Sequence, residues 1–244
     1  MDTMGAETWI DLWSRGRGRH ALERALLLLQ PRFPEWSPSC LAAMPLGQRN
    51  AHLIRLRLAW MGPRLELNDR CPACREAVFF PVEAATLLAS DQPLREAYQW
   101  EHEGYRVVFR PPSSVDLAAV LSAAEADQAA ETLLRRVVLS VEHEGAEMAL
   151  AELPPSMTAL LEDAVAMADP LAEIYFSLTC TNPGCGFSWK AILDMGAFLW
   201  VELEDQVLAL LRQVDVLARA YGWSEAEILG LAPDRRQFYL ELSA

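Results

Sequence analysis

The chain has 244 residues, 52% of them hydrophobic, which is ample for a packed core in one large domain or two small ones. Its 21 Lys and Arg stand against 34 Asp and Glu, a formal net charge of −13 that repels a phosphate backbone and argues against nucleic acid as a partner. The opening MDTMGAETWIDLW lacks a basic stretch followed by a continuous apolar run, and the longest apolar run, residues 25–29, is far short of the roughly 20 residues that cross a bilayer. No secretory signal or membrane partner is therefore expected, and the protein is placed in the cytoplasm with its thiols reduced. Five cysteines, four of them in two close pairs, suit a metal better than a disulfide framework.

In chain order, helices are predicted over 9–14 and 20–30, then a link punctuated by Pro31, Pro34 and Pro38, then a helix over about 46–60. Leu53, Leu56 and Trp60 mark an apolar face on that helix, interrupted by Arg49, Asn50, Arg55 and Arg57. Gly16-Arg17-Gly18-Arg19 is read as a helix-entry turn in preference to a phosphate contact. Gly62-Pro63 ends the third helix, residues 64–67 alternate like a short strand leading into Cys71, and 77–82 is strand-like again. Residues 98–101 and 105–110 flank His102-Glu103-Gly104 as a hairpin whose glycine takes a positive φ. The tetrapeptide EHEG recurs at 142–145, and two similar hairpin turns explain it more simply than a metal site on His102 and His143.

Between these turns lie helix candidates over 115–123, with Ser114 as N-cap, and 126–139. Pro154-Pro155 opens another helix through Met167. Residues 187–193 return as a strand, and from Asp194 a long helix reaches about Ala220, with Leu203, Val207, Leu210, Val214, Leu217 and Tyr221 forming one apolar seam. Gly222 is its stop. Ser224-Glu225-Ala226-Glu227 matches a capping box, with Trp223 and Ile228 placed as a hydrophobic staple, and Pro233 opens a final helix.

Cys71-Pro-Ala-Cys74 has the spacing of a zinc knuckle, in which a tight turn brings two thiolates to one tetrahedral ion. Cys180 and Cys185 enclose a longer turn, Thr181-Asn182-Pro183-Gly184, that serves the same purpose. Residues 75–179 intervene, far more than the loop of a compact zinc ribbon, so the insertion must fold in its own right. One structural Zn2+ held by Cys71, Cys74, Cys180 and Cys185 is the favoured reading, because four thiolates leave no open position for substrate. A redox dithiol at Cys71 and Cys74 is the weaker alternative, since Val78-Phe79-Phe80 looks like strand where a thioredoxin-type site begins a helix. Unligated cysteines are the third, and Cys40 is read as an ordinary small apolar residue. There is no phosphate loop, no dinucleotide-binding glycine motif, no H-E-x-x-H and no G-x-S-x-G, so no active site is read and no enzyme is expected.

The fold class is thus α+β, predominantly helical with short β-hairpins, a zinc-ribbon-like four-cysteine site closed across an inserted subdomain, and a long C-terminal helix followed by two short ones. The expected regions are 1–70 (helical), 71–95 (first knuckle and strand), 96–170 (inserted α+β subdomain), 171–193 (second knuckle) and 194–244 (C-terminal helices).

Several blocks carry a family resemblance: RHALERALL at 19–27; LGQRN at 46–50, continuing to GPRL at 62–65; FRPPSSVDL at 109–117; and the end, LDMGAFLWVE at 193–202 through AYGWSE at 220–225 to RRQFYL at 235–240. Together they resemble the baseplate hub assembly chaperone family of T-even-like contractile phage tails, in the zinc-knuckle form of phage-tail-like extracellular contractile injection systems. The resemblance covers most of the chain and implies a non-enzymatic assembly factor or minor baseplate component whose partners are hub or spike proteins. Arg75 departs from the pattern, standing where a glycine often follows the second cysteine of a knuckle. Eight tryptophans and an acidic surface suit a protein that shields partner surfaces, although any one tryptophan is more simply read as core. The readings from other classes are a zinc-ribbon regulator that binds nucleic acid and, behind it, a dithiol oxidoreductase.

Overall fold

In a computed structural model, residues 5–121 and 126–243 are described, and they form a mixed α+β fold, 53% helical and 20% strand. Two compact units account for it: one is Leu29–Met195, the other joins Met1–Leu28 to Gly196–Ala244.

Two β-hairpins frame the larger unit. Strands β1 (Arg64–Arg70) and β2 (Ala77–Glu83) pair antiparallel, as do β7 (Ile174–Thr179) and β8 (Ser188–Leu193). Burial alternates along all four with the period of two that a one-sided sheet requires. Leu65, Leu67 and Val78 turn inward on the first hairpin, Ile174 and Ala191 on the second, while Phe79, Tyr175 and Ile192 face solvent. Inward residues meet across the ladders, Leu67 opposite Phe80 and Phe176 opposite Ala191. The prediction for 64–67 stops short of β1, whose last residues, Asn68, Asp69 and Arg70, are too polar to read as strand.

The stretch between the hairpins builds its own core. A sheet of order β3-β4-β5-β6 (Tyr98–His102, Tyr105–Phe109, Val138–His143, Ala146–Glu147) packs against α8 (Pro155–Ala168). Val107, Phe109 and Val141 from the sheet join Met157, Leu161, Val165 and Ala168, spaced at helical steps along one face of α8, and Leu134 and Val137 of α7 (Ala126–Val137). Both EHEG turns are two-residue hairpins with positive φ at consecutive residues, Glu103-Gly104 and Glu144-Gly145. They lie side by side: the Glu144 N–H donates to Gly104 O at 2.9 Å, and the Tyr105 and His143 rings stack at 4.1 Å.

Two expectations in this region are corrected. The N-cap of α6 (Ser114–Val120) is Ser113, not Ser114: its own N–H and hydroxyl donate to Asp116 Oδ2. The predicted helix over 126–139 ends at Val137, and Val138 and Leu139 pass into β5, where pairing with β4 outweighs helix continuation. Two short helices, α3 (Pro38–Ala43) and α5 (Ala84–Leu88), occupy segments without helical periodicity. Positions 122 and 123 of the helix expected over 115–123 lie outside the described residues.

Helix α4 (Leu46–Met61) holds the insertion by buried polar bonds. Arg49 and Asn50, which interrupt the apolar face in sequence, are 6% and 3% exposed and hydrogen-bonded through every side-chain nitrogen. Arg49 donates to Ser114 Oγ and twice to Asn50 Oδ1, and Asn50 Nδ2 donates to the carbonyls of Leu171 and Ala172. Gly47 N–H donates to the buried Asp169 carboxylate at 2.8 Å, and a β-carbon at Gly47 would lie 1.7 Å from Asp169 Oδ1. Only glycine admits that approach.

In the other unit, α1 (Ala6–Gly16) and α2 (Ala21–Leu29) accompany the long helix α9 (Met195–Tyr221), α10 (Glu225–Leu229) and α11 (Pro233–Ser243). Leu203, Val207 and Leu217 of the predicted seam are fully buried, whereas Tyr221 at its end is 37% exposed and stacks on Trp223. Gly16 closes α1, and with Gly18 at φ +83° the glycine-arginine stretch is the turn that leads out of α1 and into α2. Gly16 also makes room for the Trp200 ring, which would meet a β-carbon at 2.3 Å. Gly222 stops α9 at φ +71°, and the Ser224–Glu227 capping box forms in both directions. Of the eight tryptophans, Trp200 alone is fully buried among the described residues; Trp36 is 46% exposed and the others lie between.

Candidate metal centre

Each cysteine pair sits at the tip of a hairpin. Cys71 and Cys74 occupy the turn between β1 and β2, and Cys180 and Cys185 the turn between β7 and β8. The turns are closed alike: Cys71 N–H donates to Glu76 O at 2.9 Å, and Cys180 N–H to Phe187 O at 2.8 Å. Directly after the second cysteine of each pair the backbone turns left-handed, φ +67° at Arg75 and +60° at Gly186. Arg75 thus adopts the glycine conformation despite its β-carbon. In the second turn Asn182 organises the longer loop, accepting from Gly184 N–H through its side chain and from Cys185 N–H through its carbonyl.

The insertion returns the chain so that the two tips meet. Trp189 Nε1 on β8 donates to Asp69 Oδ2 on β1 at 2.9 Å, and the rings of Phe80 and Phe176 touch edge to face at 5.3 Å. Cys71 and Cys185 sulfurs then lie 3.8 Å apart and those of Cys74 and Cys180 3.5 Å, with all four within 4.8 Å of one another. A metal–sulfur length near 2.3 Å sets tetrahedral sulfur separations of about 3.8 Å, so the four thiols have the spacing of a tetrahedral ligand set. All four remain free thiols, too far apart to be disulfides. Cys71 and Cys180 are buried, Cys185 half-buried and Cys74 exposed.

The thiols differ sharply in how readily they ionise. Burial pushes the Cys71 thiol up, but N–H groups of Cys74 and Ala73 and the thiols of Cys74 and Cys180 outweigh it and bring it down to about 7. The Asn182 N–H pulls Cys180 down, yet burial and the crowding thiols of Cys74, Cys71 and Cys185 push it up to about 12. Cys185 also rises: the Phe187 N–H lowers it, and burial with the thiols of Cys74 and Cys71 raises it further. Cys71 ionises readily, and Cys180 and Cys185 then hold their protons, because negative charges so close repel. A divalent cation held by the four sulfurs would remove that obstacle and turn the set to thiolates.

Comparison with known protein families, curated proteins and solved structures gives no match.

All four sequence-predicted ligands converge, and Cys40 stands apart, exposed, accepting a hydrogen bond from Ser37 Oγ. His102 and His143 join no metal-ligating cluster among the described residues. Cys71 and Cys74 lie in a strand–strand turn rather than at a helix start, which deprives them of the helix terminus that activates a thioredoxin-type thiol. Sequence reasoning missed Trp189 and Asp69, which join the hairpins beside the sulfurs. Their only signal was position, each close to a knuckle on an inward-facing strand site.

Proposed function

We propose that the four thiolates hold one structural Zn2+ and that the chain is a non-enzymatic assembly factor or minor component of the baseplate hub of a contractile phage tail or phage-tail-like injection system, working in the cytoplasm. The observation that carries the metal assignment is the convergence of four sulfurs, from hairpins at opposite ends of an insertion, at tetrahedral spacing. Four thiolates fill the ion's coordination shell, leaving no position for water or substrate, which makes the ion a clasp. Closing a flexible loop of about a hundred residues costs roughly 4 kcal/mol. Structural zinc binding supplies on the order of 10 kcal/mol, so the clasp holds even before the folded insertion lowers that cost.

Support for the assembly role comes from the residue blocks that resemble the baseplate chaperone family, several of which form structural joints here: LGQRN in the buried network of α4, and AYGWSE at the stop of α9. The outer faces of the two hairpins add exposed Phe79, Tyr175 and Ile192, surface suited to covering a partner. Hub and spike proteins co-expressed with the chain are expected to co-purify with it, and its deletion to stop particle assembly. Normal particles from a deletion strain, with no co-purification, would sink the assembly role while leaving the metal site untouched.

A further inference from the structure

The FRPPSSVDL segment at 109–117 walls an open pocket of ≈ 470 Å³ that has no part in the cysteine centre. Its charged lining is Arg95, Arg110 and Arg136 against Glu96 and Asp116, an excess of positive charge within a chain whose net charge is −13. Asp116 is buried and saturated. Arg110 donates to both its oxygens at 2.7 and 2.9 Å, Arg136 Nε to Oδ1 at 2.9 Å, and the Ser113 N–H and hydroxyl to Oδ2. Arg110 spends its other two terminal N–H groups on the carbonyls of Pro111 and Arg136. Both terminal amino groups of Arg110 are thus used in holding this pair in shape.

The other two arginines differ. Arg136 engages only its Nε among the described residues, which leaves both terminal amino groups open, and the Arg95 guanidinium makes no hydrogen bond or ion pair among them. Both line the same pocket, whose remaining walls include Pro45, Pro111 and Val115, the last 43% exposed. Planar guanidinium donors match a carboxylate through paired N–H···O bonds, and apolar walls suit a hydrocarbon flank beside that carboxylate.

We propose that this pocket binds a carboxylate carried on an apolar-flanked segment of a partner protein, with Arg95 and Arg136 as its donors and Pro45 and Val115 against the flanking side chain. Glu96 and Asp116 reduce the lining to a small positive excess, which fits a monoanionic carboxylate and disfavours a dianionic phosphate. A chain-terminal carboxylate and an Asp or Glu side chain share this chemistry. The inference uses only charge and shape at this pocket and stands apart from the contractile-tail reading.

The test is a titration of the full chain followed by the arginine Nε–Hε resonances. Its probes are acetyl-Val-Leu with a free carboxylate, acetyl-Val-Glu-Leu-amide, acetyl-Val-Leu-amide and inorganic phosphate. Saturable shifts of the Arg95 and Arg136 signals with either carboxylate peptide, and none with the uncharged amide at the same concentration, are expected. Arg95→Glu weakens that binding by about tenfold or more, the loss expected of a charged hydrogen bond. Arg19→Glu, an exposed arginine of the other unit, changes it by less than about twofold. Arg95 is exposed on irregular backbone, so the variant keeps the wild-type circular dichroism, and Arg95→Ala serves as a second, milder removal. Equal binding of the amide, tighter binding of phosphate, or indifference to both Arg95 variants overturns the proposal.

Discussion

Arg75 keeps a side chain in a backbone conformation that the equivalent position of the second knuckle gives to Gly186. A β-carbon in the left-handed region costs about 1 kcal/mol, partly offset by the greater unfolded-state freedom of glycine. Arg75→Gly is therefore expected to stabilise the metal-loaded protein by up to about 1 kcal/mol in urea unfolding; a clear loss would mean that the arginine side chain outweighs its backbone strain. Gly47 lies at the other extreme. Gly47→Ala must displace the Asp169 carboxylate and break its bond to the first turn of α4, so a loss of about 2–3 kcal/mol is expected from the same measurement. At Asp116, burial pushes the carboxyl up, but hydrogen bonds from Arg110 and Ser113 prevail and hold it well below the usual carboxylate range. Its folded-state value is thus lower than its unfolded one, so its contribution is complete above about pH 4 and is lost as the pH falls further. Asp116→Asn is expected to cost about 2–3 kcal/mol at neutral pH, since Arg110 and Arg136 are partly solvated, and to flatten the acid limb of the stability–pH curve. An unchanged acid limb would remove Asp116 from that role. Residues of this kind were the least legible in the sequence. Arg49 and Asn50 break an apolar pattern, and nothing local announces that their partners Ser114 and Leu171 lie 65 and 121 positions away.

Of the four strands at the two cysteine pairs, β1, β2 and β8 were legible because apolar, strand-like stretches flank turn chemistry with paired thiols; no strand was predicted over 174–179, although Ile174, Phe176 and Leu178 alternate there. The EHEG turns were readable for a similar reason, Gly104 and Gly145 supplying the positive φ. Short helices such as α3 and α5 escaped, since one or two turns carry no measurable period. Where α7 meets β5, the apolar run Val137-Val138-Leu139 crosses the junction and hides the change from helix to strand, which only the pairing with β4 decides. Adjacent Ser113 and Ser114 are chemically equivalent as caps, and the reach of Asp116 back to Ser113 selects between them. This division of elements predicts how the protein responds to chelation. Amides of β1, β2, β7 and β8 should lose hydrogen-exchange protection, whereas β4, β5 and α8 should keep theirs, because their core is assembled from the insertion alone. Uniform loss across both sets would show that the insertion does not hold its fold without the ion.

At the scale of the whole molecule, a chain that leaves one hairpin, folds a subdomain and returns with a second needs something to fix the return. The Asp69–Trp189 bond and the Phe80–Phe176 contact begin that work, and four thiols stand beside them at the spacing a tetrahedral ion requires. The convergence could be inferred from sequence only as a requirement, since knuckle spacing identifies half-sites and says nothing of how the intervening residues bring them together. The most direct test of the clasp is metal analysis of the full chain, purified under reducing conditions, together with Cys180→Ser. About one zinc per chain is predicted, lost in the variant together with several kcal/mol of stability, because binding energy at such a site is folding energy. Reduced, folded protein that carries no metal, takes up none when zinc is added, and loses no stability on Cys180→Ser would contradict it.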